Sequence, residues 1–159
     1  MSTIRPARPD DVPVILDLVL GLARYEKLEH KVEATGNGLA DALFGETPRV
    51  FCDLAETDGE IAGFALWFYS FSTFVGRHGI YLEDLFVRPE FRGKVLGNAL
   101  IRNRARRCVE ESLGRLEWSV LDWNEPAIQF YRAQGARLLD DWTMCRVEGE
   151  SLRTLGVSP

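Results

Sequence analysis

The stretch from Val50 to Val87 does most to fix what this chain can fold into. Val50-Phe51-Cys52-Asp53-Leu54-Ala55 reads as a strand, and Ile61 to Tyr69 reads as a second, longer apolar strand. Between them Asp58-Gly59 is a two-residue hairpin turn. Such a pair tolerates the positive φ angles that a tight hairpin demands. A polar, glycine-containing loop over 70–79 follows, and Ile80 to Val87 supplies a third strand, ended by Pro89. Strands joined in this way lie side by side in one sheet and run mostly antiparallel.

On either side of this block the apolar period changes from two to that of a helix. Val14, Ile15, Leu18, Val19, Leu22 and Ala23 recur at helical spacing, with Asp10 offered as the N-cap and Pro13 in the first turn. That helix is expected to run to about Tyr25, after a short first strand over Ile4-Arg5-Pro6-Ala7. Thr35 to Phe44 reads as a weaker helix, interrupted by Gly36 and Gly38. Further on, the pattern predicts a helix from Lys94 to about Ser112, stopped by Leu113-Gly114, and a strand from Arg115 to Leu121. Asn124 caps a short helix from Glu125 to Gln134, stopped by Gly135. Leu138 to Val147 supplies one or two last strands, with a short helix at the end. The order is β-α-α-β-β-β-α-β-α-β, with an optional final strand. The expected class is α/β (α+β), a mixed and mostly antiparallel sheet of six or seven strands with helices on both faces. A chain of 159 residues without repeats or low-complexity tracts is expected to be one domain, residues 1–159.

Composition removes several functional classes. The formal net charge is −5, the wrong sign for a phosphate-binding surface, so no nucleic-acid partner is expected. No apolar run reaches the length of a bilayer span, and Met1-Ser2-Thr3-Ile4-Arg5-Pro6 lacks the basic flank and apolar run of a signal peptide. No membrane association and a cytoplasmic location are therefore expected. Cys52, Cys108 and Cys145 are widely spaced, and neither His30 nor His78 sits near a cysteine, so no metal site or disulfide framework is expected. Arg102, Arg104, Arg106 and Arg107 make one helix basic, which reads as a solvated face partly paired with Glu110 and Glu111.

Three stretches could carry chemistry. In Val87-Arg88-Pro89-Glu90-Phe91-Arg92-Gly93-Lys94-Val95-Leu96-Gly97-Asn98 a strand ends and a helix begins. The free N–H groups and the positive end of the helix dipole at such a start can hold an anion such as a pyrophosphate. An ordinary strand-to-helix turn has the same local sequence, and both readings stand at this point. In Glu117 to Tyr131 a strand runs into a capped helix with Pro126 in its first turn and Tyr131 about two turns in. Tyr131 is either a phenol aimed at a reacting sulfur or a core aromatic beside Phe130. The third stretch is Tyr81-Leu82-Glu83-Asp84-Leu85, two adjacent carboxylates within an apolar strand. Burying a carboxylate is costly unless it is paired or used. In a regular strand these two face opposite sides. Only a bulge, or a position where the sheet splits, lets both serve one pocket; the alternative is a salt-bridged pair on an edge strand.

Together the three stretches resemble the GNAT acetyltransferases, and within them the diamine (spermidine/spermine-type) acetyltransferase branch. The likeness runs from Ile4 to about Val147 and rests on Tyr81-Leu82-Glu83-Asp84, Phe91-Arg92-Gly93, and Trp123-Asn124-Glu125-Pro126 with Phe130-Tyr131. Ala23-Arg24-Tyr25-Glu26 is similar to the family's first-helix segment. The resemblance implies acetyl-CoA as cosubstrate, no metal, and direct acetyl transfer to a primary amine of a small diamine, polyamine or lysine-like substrate. It also implies a homodimer. By the same resemblance Leu85, Phe86 and Val87 would hold the pantetheine arm, and Arg92, Gly93, Lys94, Val95, Leu96, Gly97 and Asn98 the pyrophosphate. Asn124, Ala127 and Arg132 would meet the rest of the cofactor. Tyr131 matches the general acid and Glu83 the base, while Tyr25, Glu26, Asp84 and Phe74 match positions facing the cationic acceptor. Two departures stand out. Val95 occupies a position where the family carries glycine, and Ser72-Thr73-Phe74 lacks the acidic residue and tryptophan that polyamine-specific members tend to place there. Acetylation of a protein lysine or N-terminus, and a non-catalytic acyl-CoA-binding module, are the competing functions.

Overall fold

A computed structural model describes residues 1–93 and 95–157. The chain divides into two compact units, residues 1–121 and 122–159. The first unit holds a five-stranded sheet in the order β1-β2-β3-β4-β5, with β1 Ser2–Pro6, β2 Phe51–Thr57, β3 Glu60–Ser72, β4 Arg77–Val87 and β5 Leu116–Trp118. β1 to β4 pair antiparallel in sequence order, and β5 joins β4 in parallel. Its helices are α1 Val12–Tyr25, α2 Gly36–Phe44 and α3 Leu96–Glu110. The Asp58-Gly59 hairpin has positive φ at both residues, 51° and 84°, as its sequence predicts.

Strand alternation sorts the helices to opposite faces. Cys52 and Leu54 of β2 and Phe64 and Leu66 of β3 form one core with Ile15 and Leu18 of α1 and Leu43 of α2. Asp53, between Cys52 and Leu54, turns to the other face, where Arg104 of α3 meets it at 2.9 Å. Helices on both faces of a mixed sheet match the expected class. The first helix begins later than its sequence suggests. A 3₁₀ turn over Pro9–Asp11 precedes it, and it is Asp11 rather than Asp10 that accepts the Arg8 N–H, at 2.7 Å. The expected loop over 70–79 is shorter than its composition indicated. β3 and β4 continue as a long hairpin to Ser72 and Arg77, and the Ser72 Oγ accepts the Val75 N–H inside the turn.

The second unit holds α4 Glu125–Ala133 and α5 Gly149–Val157. The expected last strands over 138–147 do not form, which corrects the predicted count of six or seven to five among the described residues. Alternation within this stretch specifies a strand only where a ladder partner takes up its backbone groups. Here Leu139, Trp142, Met144 and Val147 are exposed on chain that has no ladder partner.

Candidate active site

Glu83 stands where two irregularities of the sheet coincide. In the pairing of β3 with β4, Leu66 faces Asp84 while Trp67 faces Leu82, so Glu83 is an extra residue in β4, a β-bulge. β5 pairs with β4 only across Ile80, Tyr81 and Leu82, so β4 loses its second neighbour at the same residue. The condition under which Glu83 and Asp84 can serve one pocket is met twice over. From Asp84 to Val87 one edge of β4 is laddered to β3 while β5 has ended, which leaves main-chain groups on the other edge for a ligand. Gly79 sets up the approach of β5. A Cβ there would lie 2.6 Å from the Arg115 carbonyl oxygen, so only glycine lets the two backbones come this close.

The carboxylates near the bulge are electrostatically linked. Asp84 is pushed up to about 7, by burial first and then by the charges of Glu83 and Glu26. Glu26, at the end of α1, is also raised by burial. Three acids from α1 and β4 thus converge on one electronegative site that would be relieved by a cation. Tyr25 precedes Glu26 on the same helix end. Phe74 is placed elsewhere. It sits at the tip of the β3–β4 hairpin, 99% exposed, and the strand from there to Glu83 is about 20 Å long at ~3.3 Å per residue. The structure does not bring it to the acidic cluster.

The turn that enters α3 has the features an anion needs. The N-cap residue Val95 makes no side-chain capping hydrogen bond. The first helical bond of this end runs from the Ala99 N–H to the Val95 carbonyl at 3.0 Å. The N–H groups of Leu96, Gly97 and Asn98 are those a helix start leaves to an outside acceptor. Val95 has φ 57° and ψ 11°, the left-handed conformation for which glycine is suited, and its side chain is 76% exposed rather than folded over the turn. Gly93 has φ 77°, and among the described residues beyond its chain neighbours no atom lies within 4 Å of where its Cβ would be. Lys94, also expected in this turn, lies outside the described residues. An open turn with uncapped amides fits the diphosphate of acetyl-CoA. Arg92 is held beside it: its Nε donates to the Val87 carbonyl at 3.1 Å, and its guanidinium lies 4.8 Å from the centroid of the Tyr25 ring.

In the second unit Asn124 caps α4, its Oδ1 accepting the Ala127 N–H at 3.4 Å. Tyr131 lies in the last turn of α4 with its ring 5.5 Å from that of Phe130, and Arg132 follows it. The expected residues Ala127, Tyr131 and Arg132 therefore share one short helix, with Asn124 as its cap.

The sequence reading missed a buried ion pair on the α3 face. Asp53 and Arg104 are 7% and 3% exposed, and the Trp67 Nε1–H also donates to Asp53 at 2.8 Å. The guanidinium lies 4.6 Å from the Trp67 ring. Arg104 therefore does not belong to the solvated basic face expected for this helix. The signal was present: Leu96, Leu100, Arg104 and Cys108 recur every four residues, so Arg104 falls on the buried stripe. Among the described residues no group of three or more His, Cys, Asp or Glu could hold a metal ion, and no helix is long and apolar enough to cross a membrane.

Residues 16–136 match the model of the acetyltransferase (GNAT) family. A thialysine N-epsilon-acetyltransferase of Bos taurus is 39% identical, over 96% of this chain and 95% of its own. The L-ornithine N5-acetyltransferase NATA1 of Arabidopsis thaliana is 32% identical, over 97% of this chain and 87% of its own. Among solved structures, an integron cassette protein from the mobile metagenome of V. cholerae superimposes with a TM-score of 0.80 at 27% identity, covering 99% of this chain and 98% of that one.

Proposed function

The chain belongs to the acetyltransferase (GNAT) family and is an N-acetyltransferase; from that premise we propose that it acetylates the side-chain amine of a lysine-like amino acid or a short diamine. The observation that carries this reading is the bulge at Glu83, which sets a carboxylate beside Asp84 where β5 leaves β4. The names of the two relatives, one acting on thialysine and one on ornithine, support an acceptor of this size. A homodimer, as the resemblance implies, and a cytoplasmic location, as the sequence suggests, complete the proposal.

GNAT enzymes use acetyl-CoA, which supplies an activated acyl thioester. The turn at Arg92, Gly93, Val95, Leu96, Gly97 and Asn98 would bind its diphosphate, and the open edge of β4 at Leu85, Phe86 and Val87 its amide-bearing arm. The acceptor poses the larger problem. An alkylammonium has a pKa near ~10.4, so at pH 7 about one molecule in ~2,500 is the free amine, a cost of ~4.6 kcal/mol. Glu26 and Asp84 draw the cation in, yet their charge also holds its proton on. Glu83, the more exposed of the β4 pair, gives that proton a path to solvent through water. Tyr131 is the proton donor to the departing thiolate, a lesser task because a thiol's pKa is only ~8.5.

A thiol-release assay across diamines, polyamines, lysine analogues, aminoglycosides and lysine-bearing peptides tests the proposal. The expected order puts lysine analogues and short diamines first in kcat/KM. Turnover of peptides alone would move the assignment to protein acetylation. Binding of acetyl-CoA without turnover of any amine would make the chain a non-catalytic module.

A further inference from the structure

The Arg92 side chain is anchored from the acceptor side of the molecule. Its Nε–H is spent on the Val87 carbonyl. One face of the guanidinium lies over the Tyr25 ring, 4.8 Å from its centroid, and 5.7 Å from that of Phe86. Phe86 is itself pressed against α1. A Cβ on Gly21 would stand 3.0 Å from its ring, so the glycine lets that ring seat against the helix one turn before Tyr25. Strand end, ring and helix end together fix a side chain that in solution would sample many rotamers. Of the five guanidinium N–H donors, the one on Nε is committed, and the four on the Nη atoms project from the edge. Among the described residues Arg92 forms no ion pair, so its charge is left for a ligand.

We propose that Tyr25 is a positioning residue for the acyl donor: its ring, with that of Phe86, holds the Arg92 guanidinium ready for a diphosphate at the entrance to α3. This rests on the reading that the α3 turn binds the donor's diphosphate, and it adds a role to a residue that sequence resemblance assigns to the acceptor. The physical basis is preorganisation. A guanidinium already stacked and tethered loses less rotamer freedom when it meets an oxyanion, and the saving appears as affinity. A cation–π contact at an exposed site accounts for about a 2- to 6-fold change in binding.

The test is calorimetric titration of free coenzyme A, with no acetyl group and no acceptor, so that neither turnover nor the amine site contributes. Arg92→Gln is expected to weaken binding on the order of 10-fold or more, as loss of a charged hydrogen-bond donor does. Tyr25→Leu should weaken it about 2- to 6-fold, and Tyr25→Phe, which keeps the ring, should leave it within about 2-fold of the parent. In the Arg92→Gln background Tyr25→Leu should cost nothing more. Tyr25→Gln is a second ringless variant, and a thermal melt of each protein verifies folding. Coenzyme A affinity unchanged in both ringless variants while Arg92→Gln weakens it overturns the proposal and spares the diphosphate reading. A Tyr25→Leu loss that persists undiminished without Arg92 also overturns it, because the ring would then act by another route. If the parent fails to bind coenzyme A, or Arg92→Gln binds as tightly as the parent, the diphosphate reading itself falls.

Discussion

Replacing Val95 with glycine isolates the backbone strain at the entrance to α3. Val95 is a β-branched residue at φ 57°, ψ 11°. Such a conformation costs about 1–3 kcal/mol, and β-branching places it toward the upper part of that range. The side chain is 76% exposed, so little apolar burial is lost with it. Against the gain stands the greater freedom of glycine in the unfolded chain, about 0.5–1 kcal/mol. Glycine is also the better N-cap, by a smaller amount. The balance is a stabilisation of about 0.5–2 kcal/mol, or roughly 2–6 °C in Tm for a chain of this size. Differential scanning calorimetry without ligand reads it. Val95→Asn should also raise Tm, because asparagine accepts the left-handed region and can cap. Val95→Ala should gain less, since it removes the branch and keeps the Cβ. A strain carried by the fold is a cost to stability and not to the binding of acetyl-CoA. Affinity for acetyl-CoA in Val95→Gly should therefore stay within about threefold of the parent. A melting temperature for Val95→Gly equal to or below that of the parent would refute the strain argument. A large gain in affinity would show instead that the ligand has to impose this backbone conformation.

Three further expectations follow from the geometry. Tyr131→Phe should lower kcat by roughly 10- to 1,000-fold in a thiol-release assay, the usual range for acid–base groups, and an unchanged kcat removes the phenol from the reaction. Asp84 is raised to about 7 from an ordinary value near ~3.9, so the folded protein binds more protons than the unfolded chain between those limits. Its contribution to stability is accordingly lost as pH rises from about 4 to about 7; Asp84→Asn should be more stable than the parent at pH 8 and indistinguishable at pH 3.5, and should lose the rise through pH 7 in acceptor kcat/KM. Arg104→Met leaves Asp53 without its cation among buried neighbours and should cost about 3–5 kcal/mol in urea denaturation at pH 7, shrinking at acid pH as Asp53 takes up a proton.

What the sequence discloses and what it withholds divide along the range of the interactions. The Asp58-Gly59 hairpin, the Asn124 cap and the helical period of α1 are decided within a few residues, and each appears where its local chemistry puts it. The carboxylates of Glu83 and Asp84 could be singled out because two acids are out of place in an apolar strand. Their shared use could only be stated as a condition, because the bulge exists in the register between β4 and β3 and the split in the departure of β5. Leu138 to Val147 fails for the same reason in reverse. Its apolar residues suit a strand, yet a strand is a property of a pair, and one member of a pair does not specify the other. Arg104 and Arg92 show the two outcomes for a long cation. Helical spacing alone would have placed Arg104 on the buried stripe, had its charge not been taken as proof of exposure. No spacing rule could have joined Arg92 to Tyr25, because the two are far apart in the sequence and only the fold brings the end of α1 against the turn before α3. The left-handed backbone at Val95 lies between these extremes. Sequence showed a valine in a glycine position, and the fold answers that mismatch by accepting the strain with the side chain turned to solvent, which leaves the amides at the start of α3 clear.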